Sequence, residues 1–231
     1  MLKGNQLDLN IQIIFEDDTL LVVNKPPRLP VHATLDKRRA NLMDHLEFVQ
    51  KRKLVLFHRL DVDTTGLVVL GKDPSINKIM NDVFKDREVK KNYLAVVDGR
   101  WRETDKKIES YIKKVNGGKY ISGGKGTGGD FAHTEFEIIE SIGEKTLLRC
   151  ELFTGRTHQI RLHAHGTGHP ILGDATYGKL DRMGVPIALH AYELKFKHPK
   201  TSALLNLRAS LPDYWKDYWL KGFSKEVFTK F

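Results

Sequence analysis

Apolar and polar positions along this chain fall into short runs with turns between them. IQIIFEDDTLLVVNKPP holds two apolar runs, Ile11 to Phe15 and Leu20 to Val23, around Glu16-Asp17-Asp18, and predicts two joined strands. Pro26, Pro27 and Pro30 then stop regular structure, because proline fixes its own φ and lacks an amide hydrogen. Asn41 is placed to cap a short helix, LMDHLEFVQ, with Leu42, Leu46 and Val49 at helical spacing. Val55 to Phe57 and Leu67 to Leu70 read as brief strands. Between them, FHRLDVDTTG is a charged loop set beside a segment that looks buried.

DPSINKIMNDVFKD predicts a helix with Ile76, Ile79, Met80 and Val83 on one face, and KKNYLAVVDG alternates like a strand. IESYIKK and KYISG carry weaker β patterns before the glycine-rich KGTGGD, so an exposed hairpin and a mobile loop are expected there. A phosphate-binding reading of that loop lacks the helix that should follow it. HTEFEIIES and KTLLRCELF predict an antiparallel pair. TGRTHQIRLHAHGTG predicts a helix of about three turns, ended by Gly166 or Gly168. HPILGDATYG is a loop, and ALHAYELKF and ALLNLRASL are further strands. LPDYWKDYWLKGF, about 211–222, closes the chain as a helix whose Tyr214, Trp215, Tyr218 and Trp219 read as core. Strands mostly follow one another and helices are few. That predicts an α+β fold with a mixed, mainly antiparallel sheet flanked by helices, not a doubly wound one. No repeat or linker interrupts the chain, so 1–231 reads as a single catalytic domain.

Composition narrows the partners. The chain has 231 residues, 40% of them hydrophobic, which supports a sizeable core and argues against wholesale disorder. Lys plus Arg is 38 against 29 for Asp plus Glu, a net +9, which favours polyanions: nucleic acid first, an anionic membrane surface second. Cys150 is the only cysteine, so no intrachain disulfide forms, and its apolar run predicts an inert buried thiol. No apolar stretch approaches the ~18 residues of a membrane helix. MLKGNQLDLNIQ has no secretory core, so a cytoplasmic setting is expected.

Three groups of residues carry possible chemistry. In DVDTT, Asp61 and Asp63 flank one residue, as in a metal-dependent phosphatase of the haloacid-dehalogenase type. Such an enzyme needs further acidic ligands, and after Gly173-Asp174 positions 175–180 supply no second carboxylate. His158, His163, His165 and His169 invite a zinc reading. Their helical phases disagree and no Asp or Glu lies among them, so hydrogen-bonded or RNA-contacting histidines are expected instead. Arg59 stands beside Asp61, and Arg156 and Arg161 lie on the expected helix. An arginine near a carboxylate keeps it ionised and oriented, as a covalent or base mechanism requires; an ion pair that merely holds structure is the alternative.

FHRLDVDTTGLVVLGKD resembles the H-R-L-D-x-x-T-S-G-L signature of the ribosomal large-subunit pseudouridine synthase A-like family. LLVVNKPPRLPVH is similar to that family's first block, and KKNYLAVVDG to the block with its active-site tyrosine. LFTGRTHQIRLHAHGTGHPILGDATYG resembles its longest signature, and ALHAYELKFKHP its last. The five blocks run in order over most of the chain, within about 11–199. Thr65 stands where the pattern has serine, and VHAT and LPVH depart from the first block.

The resemblance implies a pseudouridine-synthase-like domain with an active-site cleft across its sheet, and an enzyme that isomerises uridine in RNA without cofactor or metal. It implies Asp61 as the catalytic aspartate, which either attacks C1′ or removes the 2′ proton to give a glycal. Tyr93 would stack on the flipped uracil and take its C5 proton, and Arg161 would pair with Asp61. Arg59 would enter the RNA helix or hold the base out, and Leu194 would wall the base pocket. His58, Thr64, Arg156 and His158 are implied as further substrate-binding positions. The expected partner is structured ribosomal or transfer RNA, a stem-loop, with no membrane and no obligatory protein partner. The first block begins near residue 11, so recognition is expected from the catalytic domain itself, with Arg87, Lys90, Lys91, Arg100 and the basic stretch Lys113 to Lys125 contributing. Two other classes stand beside this reading: a metal-dependent phosphatase or hydrolase, and an RNA-binding module that lost catalysis.

Overall fold

The computed structural model describes residues 9–34, 36, 39–103, 106–178 and 184–231. The reading of the first eight residues as lacking a secretory core, and the end of the 175–180 stretch, lie outside them. In chain order the strands are β1 Gln12–Glu16, β2 Leu20–Lys25, β3 Val55–Leu56, β4 Thr65–Gly71, β5 Lys90–Asp98, β6 Lys106–Lys114, β7 Tyr120–Gly123, β8 Asp130–Ile142, β9 Lys145–Leu152, β10 Leu189–Lys197 and β11 Leu204–Arg208. The α-helices are α1 Leu42–Gln50, α2 Asn77–Lys85, α3 Gln159–Gly166 and α4 Lys225–Lys230. The fold is α+β with a mixed, mostly antiparallel sheet flanked by helices, as the run of strand patterns predicts. The chain divides into two compact units, Met1–Val89 with Glu193–Ser210, and Lys90–Tyr192 with Leu211–Phe231.

In the first unit, β2 lies antiparallel between β1 and β4, from Leu20 opposite Gly71 to Lys25 opposite Gly66. Leu20, Val22, Leu67 and Val69 pack with Ile76, Met80, Leu194 and Phe196 in one core cluster. The alternate residues Leu21, Val23, Val68 and Leu70 are buried too, so both faces are covered and the strands read as continuous apolar runs. Asn41 caps α1 by accepting from the Asp44 amide, as its position predicts. Val49 and Ile79, expected on buried faces, are about half exposed at 54% and 46%; Leu46 and Met80 are the residues that turn inward. A β-carbon at position 71 would meet the Phe57 ring at 2.7 Å, so the ring would have to shift to admit one.

In the second unit, β5, β9, β8, β6 and β7 neighbour one another in that order, each pair antiparallel. The expected β8–β9 hairpin forms with Ile142 opposite Lys145, and Gly143 takes the positive φ of its two-residue turn. The register of β8 shifts between Ile138 and Glu140, a bulge. Two expectations need correction. The helix over TGRTHQIRLHAHGTG is only eight residues long, because Thr154 to His158 form a loop held from its side chains. The aromatic segment is a single π turn at Trp215–Trp219, with Trp215 and Trp219 buried and Tyr218 exposed, and the chain closes on α4 instead. No helix of the described residues is long and apolar enough to cross a membrane.

Candidate active site

Of the residues singled out by the sequence, His58, Arg59, Asp61, Thr64 and Leu194 belong to the first unit. Tyr93, Arg156, His158 and Arg161 belong to the second.

In the first unit, the chain leaves β3 and must cross back into β4. His58 anchors this crossing: its Nε2 accepts the Val69 amide at 3.0 Å and its ring stacks on Phe84 at 4.9 Å. Accepting at Nε2 places the ring proton of the neutral form on Nδ1. Arg59 is exposed and makes no hydrogen bond or ion pair among the described residues. Asp61, half-buried, opens a tight turn in which its carbonyl accepts the Thr64 amide at 3.2 Å. Thr64 itself is buried, and its hydroxyl has no partner among the described residues. Leu194 is 1% exposed and packs inside the core cluster.

Lys25 is the residue the sequence reading passed over. It ends an apolar strand, and its side chain is fully buried. Its Nζ donates to the carbonyls of Pro26, Leu29 and Val62, each at 2.9 Å. Three acceptors match the three donors of an ammonium. Burial pushes the Lys25 pKa down to about 7, against the opposing charges of Asp63 and Asp61. The Val62 carbonyl lies between those two aspartates in sequence, so Lys25 ties the Asp61 turn to the proline-rich loop after β2. A lysine at the end of LLVVNKPP was the available signal.

In the second unit, Tyr93 sits on β5 opposite Cys150 and is 7% exposed. The loop before α3 is pinned by Gln159, whose amide is fully used. Its Oε1 accepts from the Thr154 hydroxyl and the Arg156 amide, and its Nε2 donates to the His133 carbonyl and the Thr134 hydroxyl. Thr134 then gives its own proton to His163 Nδ1, and Nε2–H of His163 faces Ser110. Burial and nearby His133 push the His163 pKa down to about 4, so this histidine is a neutral hydrogen-bonding group. Arg156 reaches the Phe131 carbonyl through Nε at 3.1 Å. His158 adopts a left-handed backbone, φ 58, a strained choice for a side chain of this kind. Its Nδ1 lies 2.8 Å from the Tyr177 hydroxyl.

Arg161 projects from α3 onto Asp174. Nε and Nη2 each stand 2.8 Å from a carboxylate oxygen, and the guanidinium lies 5.2 Å from the Tyr177 ring centre. Burial acts to raise the Asp174 pKa. Arg161 and the amides of Thr176 and Tyr177 outweigh it, and the carboxyl falls below the usual range. The sequence weighs Asp174 only as a metal ligand and does not announce this pair. The GDATYG loop lies far from Arg161 in pattern, and folding is what brings its carboxylate under the arginine.

With this geometry in hand, comparison with known proteins places the chain among RNA-modifying enzymes. Residues 19–165 match the family model described as RNA pseudouridylate synthase. An uncharacterized RNA pseudouridine synthase of Helicobacter pylori is 33% identical over 237 residues, covering 96% of this chain and 72% of that one. A ribosomal large subunit pseudouridine synthase C of Haemophilus influenzae is 34% identical over 219 residues, covering 90% of this chain and 67% of its own. Among solved structures, human RNA pseudouridylate synthase domain containing 4 superposes with a TM-score of 0.72 at 26% identity, over 88% of this chain and 90% of that one.

Proposed function

We propose, for a chain that belongs to the RNA pseudouridylate synthase family and is thereby an RNA uridine isomerase, that it acts on particular uridines of ribosomal RNA, with transfer RNA as the second substrate class, and that Asp61 carries the chemistry. The observation that carries this reading is the Asp61 turn, closed by its own hydrogen bond and tied through Val62 to the buried Lys25. A carboxylate that must react at a sugar carbon has to be held still, and the Lys25 bond to the Val62 carbonyl braces the turn that carries it. The relatives named for the ribosomal large subunit favour ribosomal RNA.

The reaction breaks the bond from uracil N1 to ribose C1′ and joins uracil C5 to C1′, so that the proton lost from C5 balances the one gained at N1. Asp61 either displaces the base at C1′ or removes the 2′ proton to leave a glycal. Neither route calls for a metal or cofactor. Inside a helix the glycosidic bond is hidden, so the nucleotide is extruded at a cost of roughly a few kcal/mol. Tyr93 stacks on the freed uracil and takes the C5 proton, offsetting part of that cost. Arg59, exposed and unpaired among the described residues, enters the RNA helix where the base has left. Arg156 and His158 contact the backbone of the same stem-loop. The cytoplasm, where ribosomal and transfer RNA are found, is the setting of this reading.

The test is to map pseudouridines in total RNA from cells with and without the gene, restored as wild type and as Asp61→Asn. One or a few positions should vanish with the gene and return only with wild type. If they return equally with Asp61→Asn, the assignment of Asp61 fails; if none changes, the substrate assignment fails.

A further inference from the structure

Beyond the end of β5 lies an open cavity of about 480 Å³ lined by Arg100, Trp101, Arg102, Ile138 and Ser141. Arg100 and Arg102 alternate around Trp101, which is 3% exposed, while both arginines are exposed. Neither arginine has a hydrogen bond or ion pair among the described residues. Two carboxylates on these segments are engaged elsewhere: Glu103 pairs with Lys106 at 2.8 Å, and Glu140 accepts from Ser224. The far wall comes from the bulged part of β8, where the register shift between Ile138 and Glu140 re-aims the side chains.

The remaining polar group indicates what kind of anion fits. Thr146 gives its hydroxyl proton to the Gly99 carbonyl and accepts the Trp101 amide. Ser141 stands 3.1 Å from Thr146 Oγ1, so the proton in that contact comes from Ser141. Ser141 Oγ is left with acceptor capacity only, which suits a sugar hydroxyl and not a phosphate. Two fork-shaped cations and one acceptor are the complement of a ribose-phosphate backbone.

We infer that this cavity is a docking site for the phosphate backbone of the RNA substrate, apart from the target nucleotide, with Arg100 and Arg102 each taking a phosphate. Tyr93 lies seven residues before Arg100 in the chain, a separation of at most roughly 23 Å. The cavity therefore grips an RNA segment flanking the one that enters the active site, and serves affinity rather than chemistry. This inference rests on RNA being the substrate.

The test uses the full chain as wild type, Arg100→Gln/Arg102→Gln and Arg100→Lys/Arg102→Lys, with thermal melts to establish folding. Binding of a labelled RNA hairpin is measured across salt concentrations, and pseudouridine formation is measured with saturating ribosomal RNA from cells lacking the gene. The Gln pair should reduce the slope of log affinity against log salt by about 1.4 to 1.8, since each phosphate contributes about 0.7 to 0.9. Turnover at saturation should stay at the wild-type value, and the Lys pair should keep the slope. A Gln pair with unchanged slope and affinity overturns the site while leaving the synthase reading intact. If inorganic phosphate binds wild type but not the Gln pair, and the RNA slope does not change, the cavity serves a small phosphorylated ligand and the inference is likewise overturned. Wild type that neither binds nor modifies RNA removes the underlying reading instead.

Discussion

Lys25→Met tests the account of the Asp61 turn most sharply, because it predicts a change in stability that grows with pH. In the folded chain Lys25 titrates near about 7, whereas a free lysine titrates near about 10.4. Between those values the unfolded chain holds more protons than the folded one, so stability rises with pH across that window. The penalty for burying the charge is complete below pH 7 and gone above about 10.4. Worked through the linkage relation, the native state gains about 2 kcal/mol from this group between about pH 7 and pH 9. Methionine cannot titrate, so the variant lacks that gain. It also leaves the carbonyls of Pro26, Leu29 and Val62 without a donor, at about 1–3 kcal/mol each. Removal of a desolvated charge offsets part of this, for a net loss of about 2–4 kcal/mol at pH 7. The gap between variant and wild type should then widen by about 2 kcal/mol at pH 9. Urea unfolding at each pH, followed by tryptophan fluorescence, measures it, and the other titrating groups are shared by both chains and cancel. Parallel stability curves for the two chains over that range would refute the reasoning. Turnover should fall about 100-fold in the variant, as expected for a misplaced catalytic group, with RNA affinity kept.

Tyr93→Phe should bind RNA like wild type and turn over poorly, because the ring stays and the hydroxyl is lost; normal turnover in a single-turnover assay removes Tyr93 as the base. Asp174→Asn removes a buried carboxylate that accepts two hydrogen bonds from Arg161 and should destabilise the chain by about 3–5 kcal/mol at pH 7. Because the Asp174 pKa is depressed, its stabilisation is whole above the ordinary carboxylate range and is lost as pH falls through the folded value, so wild type and variant should converge in acid melts. Asn41→Ala should cost about 1 kcal/mol by removing the α1 cap, read from the urea midpoint.

Local patterning determined a large part of this protein. Period-two alternation and proline or glycine stops are properties of neighbouring residues, so β1, β2, β5, β8, β9, β10 and β11 stand where the apolar runs place them. The Asn41 cap reads directly because capping involves a side chain and an amide three residues on. The family was legible too, because its motifs are contiguous in the chain and matched in order. Other features needed the tertiary structure. α3 is shortened because Gln159 is bonded to strand residues about 25 positions earlier. α4 is six residues long and too short to show a period. Lys25 looks like any lysine until the Val62 carbonyl, 37 residues on, joins two from the following loop around its ammonium. Asp174 is one acid among many until a loop carries it beneath Arg161. Leu194 is one apolar position of a strand until packing sets it among Ile76, Met80 and Phe196. Sequence specifies what each residue can offer; which partners meet it, and whether water still reaches it, depend on contacts between distant segments that only the folded chain brings together.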